Sequence, residues 1–250
     1  MTKARSGGRA GRSRLLFAAL ILLGLLLAAA LTALGVWQLE RREWKLDLIA
    51  RVEARVHAPP TPAPAPDEWG TITDRSAAYR HVSLRGRYLH DRETLVQAVT
   101  ELGPGYWVMT PLVEARGFVV LVNRGFVPPE RATAATRLAG QQLGVAAVTG
   151  LLRITEPGGG FLRRNDPQAN RWYSRDVVAI ARARGLSNAA PYFVDADRAP
   201  TPGGYPVGGL TVVKFRNTHL QYAITWFALA MMAGCGVAVL IWSRAKEGRR

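Results

Sequence analysis

The chain has 250 residues, with 33 lysines and arginines against 18 acidic residues, a formal charge of +15. A single cysteine, Cys235, excludes an intrachain disulfide and any paired-cysteine metal site. The positive charge gathers at the two tips: residues 1–14 carry five basic groups and no acid, and 243–250 carry four basic groups against Glu247. That distribution speaks against nucleic acid as a partner.

From Leu15 to Trp37 there is no ionisable side chain, and at about 1.5 Å per helical residue this run is long enough to cross a hydrocarbon core. Ala28, Ala29 and Ala30 also fit a signal-peptide cleavage site, but the apolar run continues well past a typical h-region, so an uncleaved anchor is expected. Residues 217–242 form a second such run. Basic tips beside both spans place both termini on the cytoplasmic (or matrix) side, in contact with lipid headgroups, and the centre outside. The expected location is the inner (plasma) membrane of a bacterium, with a periplasmic central domain.

The expected order is a basic tip (1–14), a first span (15–37), a helical stalk (38–57), a proline-rich spacer (58–66), an outer domain (67–216), a second span (217–242) and a second tip (243–250). The stalk is rich in Glu, Arg, Lys and Leu and stops at Pro59; Trp37, Arg41 and Trp44 share one face of it. The spacer APPTPAPAP is read as polyproline-like and unable to join a sheet, since its prolines lack donors. Beyond it the period changes to two. Strands are expected at 79–89, 94–99, 106–113, 118–122 and 146–154, with short connections that imply antiparallel pairing. A short helix or irregular stretch fits 130–143. A helix is expected at 171–184, capped by Asn170 and closed by Gly185, with closing strands at 192–195 and 210–215. The fold class is therefore α+β: two transmembrane helices flanking a mostly antiparallel outer domain with one or two helices.

The common catalytic motifs are missing, and Gly158–Gly160 lacks the Lys-Ser/Thr that a phosphate loop needs, so a non-enzymatic protein is expected. Of four histidines, His57, His81 and His90 lie by the spacer or on strand surfaces with no second ligand at metal spacing. His219 differs, sitting at the outward mouth of the second span, where an ionisable group is a functional candidate. With Asn217 as cap, the helix dipole keeps the imidazole neutral, as a metal requires. Tyr222 and Trp226 follow at i+3 and i+7, and Trp37 lies at matching depth on the first helix. A flat macrocycle could bind there through His219, with propionates turned to Lys214, Arg216, Arg41 or Arg42. The alternative is an ordinary interfacial belt of aromatics with a solvated histidine. Ala230, Gly234 and Ala238 offer a small-residue stripe for a close helix contact.

Five blocks in order resemble the Surfeit locus protein 1 family of cytochrome c oxidase assembly factors. They are LGVWQLERREWK (34–45), GYWVMTPL (105–112), VLVNRGFVP (120–128), NDPQANRWYSRD (165–176) and FRNTHLQYAITWF (215–227). One departure is Phe126, where the family pattern usually has Trp. The resemblance implies a chaperone that helps haem a reach the oxidase catalytic subunit, alongside other assembly factors, with His219 at the position tied to haem a binding. A scaffold that stabilises an assembly intermediate without cofactor is the alternative. Asn123, Arg124 and Gly125 match another family block, and by themselves read equally well as a strand-ending turn.

Overall fold

The computed structural model describes residues 6–213, 215 and 217–247, with the side chains of 6–11 and 13 left aside. It divides into two compact units, the first made of residues up to Ala50 and from Lys214 onward, the second Arg51–Val213. Helix α1 (Ser6–Val56) is continuous from first span through stalk, because between Arg9 and His57 no proline or glycine pair interrupts it. Helix α4 (His219–Glu247) closes the chain, and both helices are long and apolar enough to cross a membrane.

Between residues 17 and 38 the covered positions of α1 are Phe17, Ile21, Gly24, Ala28, Leu31, Gly35 and Gln38, alternating steps of four and three. That is a 3.5-residue period, the pattern of a left-handed antiparallel helix pair. On α4 the covered line runs through His219, Ala223, Phe227, Ala230 and Val237. A Cβ on Gly24 would stand 2.4 Å from Val237 Cγ2, and one on Gly35 2.6 Å from Phe227 Cε1, so it is the glycines of α1 that admit the close approach. The stripe expected on α4 is only partly right: Ala230 is buried, but Ala238 is exposed.

The second unit is built around a sheet that closes on itself. Its strands are β1 (Thr61–Pro62), β2 (His81–Tyr88), β3 (Thr94–Thr100), β4 (Gly103–Glu114), β5 (Val119–Val127), β6 (Ala146–Ile154) and β9 (Ala189–Ala196), in the order β1-β2-β6-β9-β5-β4-β3. An extra β2–β4 pairing, Gly86 opposite Glu114 to Tyr88 opposite Leu112, completes a ring β2-β6-β9-β5-β4. A small hairpin, β7 (Gly159–Gly160) with β8 (Arg163–Arg164), stands apart from it. Pairing is mostly antiparallel, as expected, except that β5–β9 and β1–β2 run parallel.

Side-chain alternation sorts the core into two clusters. Val82, Leu84, Val120, Val122, Tyr192 and Val194 fill one side of the sheet. Leu121, Met109, Phe193 and Trp172 face the other, where helix α3 (Val177–Ala183) covers them with Val177 and Ile180. With both faces covered, β5 is buried at almost every position, which is why its sequence shows an apolar run without alternation.

Several expected boundaries move. The proline-rich segment does join the sheet: Thr61 and Pro62 pair with Val82 and Ser83, and Ala63 N–H donates to Ser83 O at 3.0 Å. It is an edge strand, where the missing proline donors face away from the ladder. The Tyr192 hydroxyl and Trp69 Nε1 both donate to Pro64 O, at 2.7 and 3.2 Å. The helix expected at 171–184 shortens to Val177–Ala183, capped by Asp176 rather than Asn170, which has a left-handed φ of 51°. Residues 171–176 instead bury Trp172. Stretch 130–143 is irregular with two short 3₁₀ turns, and the described residues of 210–215 form no strand.

Closure of the ring depends on Gly86, where a Cβ would stand 2.1 Å from Val113 O. Gly86→Ala is expected to destabilise the domain by about 1–3 kcal/mol, read as a lower denaturation midpoint. A second prediction concerns His81, whose ring reaches Asp197 Oδ2 at 2.8 Å and Ala58 O at 2.9 Å. Burial opposes its charge, but bonds to Asp197 and to the Ala58 carbonyl outweigh it, and its pKa is raised. A raised folded-state pKa contributes stability that is complete below the unfolded value, about 6.5, and is lost as pH climbs through the folded one. His81→Gln should therefore cost more thermal stability at pH 6 than at pH 9.

Candidate functional site

His219 is the first residue of α4, and its N–H donates to Asn217 Oδ1 at 3.4 Å, so Asn217 engages the helix start as its sequence position suggests. The ring is half-buried in the seam, and Nδ1 lies 2.8 Å from Gln38 Oε1 of α1. A carboxamide oxygen only accepts, so Nδ1 is the donor, and in the neutral imidazole the lone pair is on Nε2. A histidine held in this way is arranged as metal-ligating histidines are, with the second nitrogen bonded to a carbonyl that fixes tautomer and ring orientation. The donor chemistry of His219, an imidazole oriented by a carboxamide, thus fits a haem iron.

Trp226 is half-buried one heptad beyond His219 and shares its face. Tyr222 and Trp37 are both exposed, at 55% and 50%, on faces outside the seam. Arg41 is exposed too, its guanidinium 4.6 Å from the centre of the Trp44 ring, while Arg42 is half-buried. Arg216 and Lys214 lie outside the described residues. The structure therefore brings His219 and Trp226 to one seam and leaves Trp37, Arg41 and Tyr222 on open faces.

Gln38 was not among the residues that sequence alone singles out. Its signal is the seven-residue rhythm Gly24, Leu31, Gln38, which puts an amide in the seam among small and apolar positions.

The second unit holds another constellation, organised by Asp195 of β9, which is 3% exposed. Asn123 Nδ2 donates to it at 2.8 Å, one Arg153 guanidinium nitrogen at 2.9 Å, one of Arg175 at 3.0 Å and Thr211 Oγ1 at 3.0 Å. Arg175 also binds Glu156, whose acidity is the result of opposed effects: burial pushes its pKa up, and the Arg175 bond and charge bring it below the ordinary carboxylate value. For Arg175 burial works against the charge, but Asp195 and Glu156 prevail and the cation is reinforced.

The Asn123-Arg124-Gly125 block is not the end of β5. Pairing with β4 slips between Met109 and Trp107, making a bulge in mid-strand, and β5 continues to Val127. Gly125 there has φ 130°, and a Cβ would stand 2.1 Å from Val207 O. Asn123 Oδ1 accepts from Gly125 N–H at 3.2 Å, so one side chain ties the bulge to Asp195. Among the described residues no group of three or more His, Cys, Asp or Glu side chains could hold a metal ion.

Comparison with known proteins agrees with this architecture. The SURF1 family model matches residues 25–231. Surfeit locus protein 1 of Mus musculus is 39% identical over 234 residues, covering 87% of this chain and 72% of that protein. The Homo sapiens protein of the same name is 39% identical over 223 residues, 82% of this chain and 72% of its own. A SURF1-like protein of Monosiga brevicollis is 36% identical over 231 residues, 87% and 84% respectively. The match takes in α1 from its membrane-length part, the closed sheet and the His219 end of α4, and the chain belongs to the SURF1 family.

Proposed function

We propose that this chain is a membrane-anchored, non-enzymatic assembly factor for cytochrome c oxidase that holds haem a at the mouth of its helix pair, on the way to the catalytic subunit. The observation that carries the reading is the His219–Gln38 bond of 2.8 Å, which leaves Nε2 free at a helix start. The family resemblance supplies the oxidase, and the basic tips support an inner-membrane topology with both termini on the cytoplasmic side and the domain outside.

Haem, were it bound, would supply an iron that accepts an imidazole nitrogen. His219 offers Nε2 for that bond, and Gln38 fixes the tautomer and the plane of the ring. Trp226 on the same face gives apolar surface for a macrocycle, while Trp37 and Tyr222, on open faces, have the composition of an interfacial belt. Arg41, Arg42 and Arg216 are the cations for propionate groups.

The test is the absorption spectrum of the full chain purified after expression with a haem a supply. A Soret band is expected, and His219→Ala should weaken it strongly; an unchanged band in that variant removes His219 as the ligand. Gln38→Leu keeps the imidazole but takes away its acceptor, and should weaken haem retention by about tenfold or more, as loss of such partners does elsewhere. If no pigment is bound while oxidase subunits still co-purify, the scaffold reading replaces this one.

A further inference from the structure

We propose that the outer domain carries a second binding site, for an oxyanion of the carboxylate or phosphate class, in the cavity beside Arg124. The cavity has a volume of about 430 Å³, within the range of small-molecule sites, and its wall includes Tyr88, Arg124, Gln142, Thr149, Asp197 and Arg198. It lies in the second unit and does not depend on His219 or on haem.

The argument starts from an uncompensated charge. Arg124 sits at the β5 bulge, with one guanidinium nitrogen donating to Gly140 O and the plane 5.0 Å from the centre of the Tyr88 ring. Its other terminal nitrogen, Nη1, is buried and has no hydrogen-bond partner. Among the described residues no carboxylate lies within 4.0 Å of this guanidinium. Arg137, whose charge it also feels, is already neutralised by Glu93, with one bond at 3.0 Å. Tyr88 cannot compensate either: burial pushes its phenol up to about 12, against the pull of Arg124, so it is neutral at pH 7.

The carboxylate whose charge reaches Arg124, Glu93, is bonded to Arg137, and the buried Nη1 is left as an unmet donor that a ligand oxyanion would satisfy. The guanidinium fork matches the paired oxygens of carboxylate and phosphate. Arg198 adds an exposed cation at the same wall, and Thr149 a hydroxyl. The one carboxylate of the described wall, Asp197, is engaged by His81 at 2.8 Å and does not neutralise Arg124. The bulge, with Asn123 bonded to Asp195 and Gly125 in a conformation that favours glycine, sets where Arg124 leaves the strand.

The experiment is thermal unfolding of the full chain in neutral detergent, at fixed ionic strength held with sodium chloride. Inorganic phosphate and succinate are titrated separately, and a third series dopes the micelles with phosphatidylglycerol. A saturable rise in midpoint with any of the three beyond the chloride control supports the site, and the series that responds names the source of the oxyanion. Arg124→Gln should raise the half-saturating concentration about tenfold or more. If that variant does not fold, Arg124→Lys keeps the charge without the fork, and Arg198→Gln removes the exposed cation; each should weaken the response severalfold. No midpoint rise with any series in the parent protein, or the same half-saturation in all the variants, overturns the proposal.

Discussion

The outer domain depends on one buried carboxylate. Asp195 is sealed in the sheet, and a charge in that position is tolerated only with every oxygen satisfied. The partners come from far apart in sequence: Asn123 of β5, Arg153 of β6, Arg175 ahead of α3 and Thr211 after the last strand. Each bond fixes a segment that local propensity leaves free. Arg175 carries Glu156 with it, Asn123 shapes the bulge, and Thr211 draws in the stretch beyond β9. Replacing any partner leaves charge unbalanced inside the domain, and so the irregular regions of this fold are as constrained as its strands.

This also explains what was legible in the sequence. The spans, the order of strands and the boundaries of β6 follow from local pattern, since lipid and a one-sided sheet both impose a period on the chain. The segment 171–176 reads as helix because it runs without Gly or Pro into the apolar-periodic stretch 177–183, yet Trp172 and Arg175 are claimed by partners outside the local window. The proline-rich stretch was misjudged for a related reason. Its role as an edge comes from Tyr192, Trp69 and Ser83, none of which its own composition reveals.

The helix pair shows the same limit at smaller scale. His219 was legible as an ionisable group at the end of an apolar run, because hydrocarbon makes such a residue conspicuous. Gln38 was not, for an amide at the first residues of a charged stalk has nothing unusual about it. It becomes meaningful only when the 3.5-residue rhythm of α1 is set against α4 and the two polar groups meet at 2.8 Å. A polar pair in a seam otherwise made of small, aliphatic and aromatic residues also fixes the register of the helices, since a slip by one turn would leave both groups unpaired.

The place of β9 bears on how the protein is made. It is the last strand to be synthesised, yet it lies in the middle of the ring, between β5 and β6. Until residues 189–196 leave the ribosome, those two strands have open hydrogen-bonding edges and apolar faces, and no earlier segment can take the position. The ring therefore closes late in synthesis. That interval is when an unpaired β5 edge is most open to wrong pairing, and when a holding chaperone would matter most.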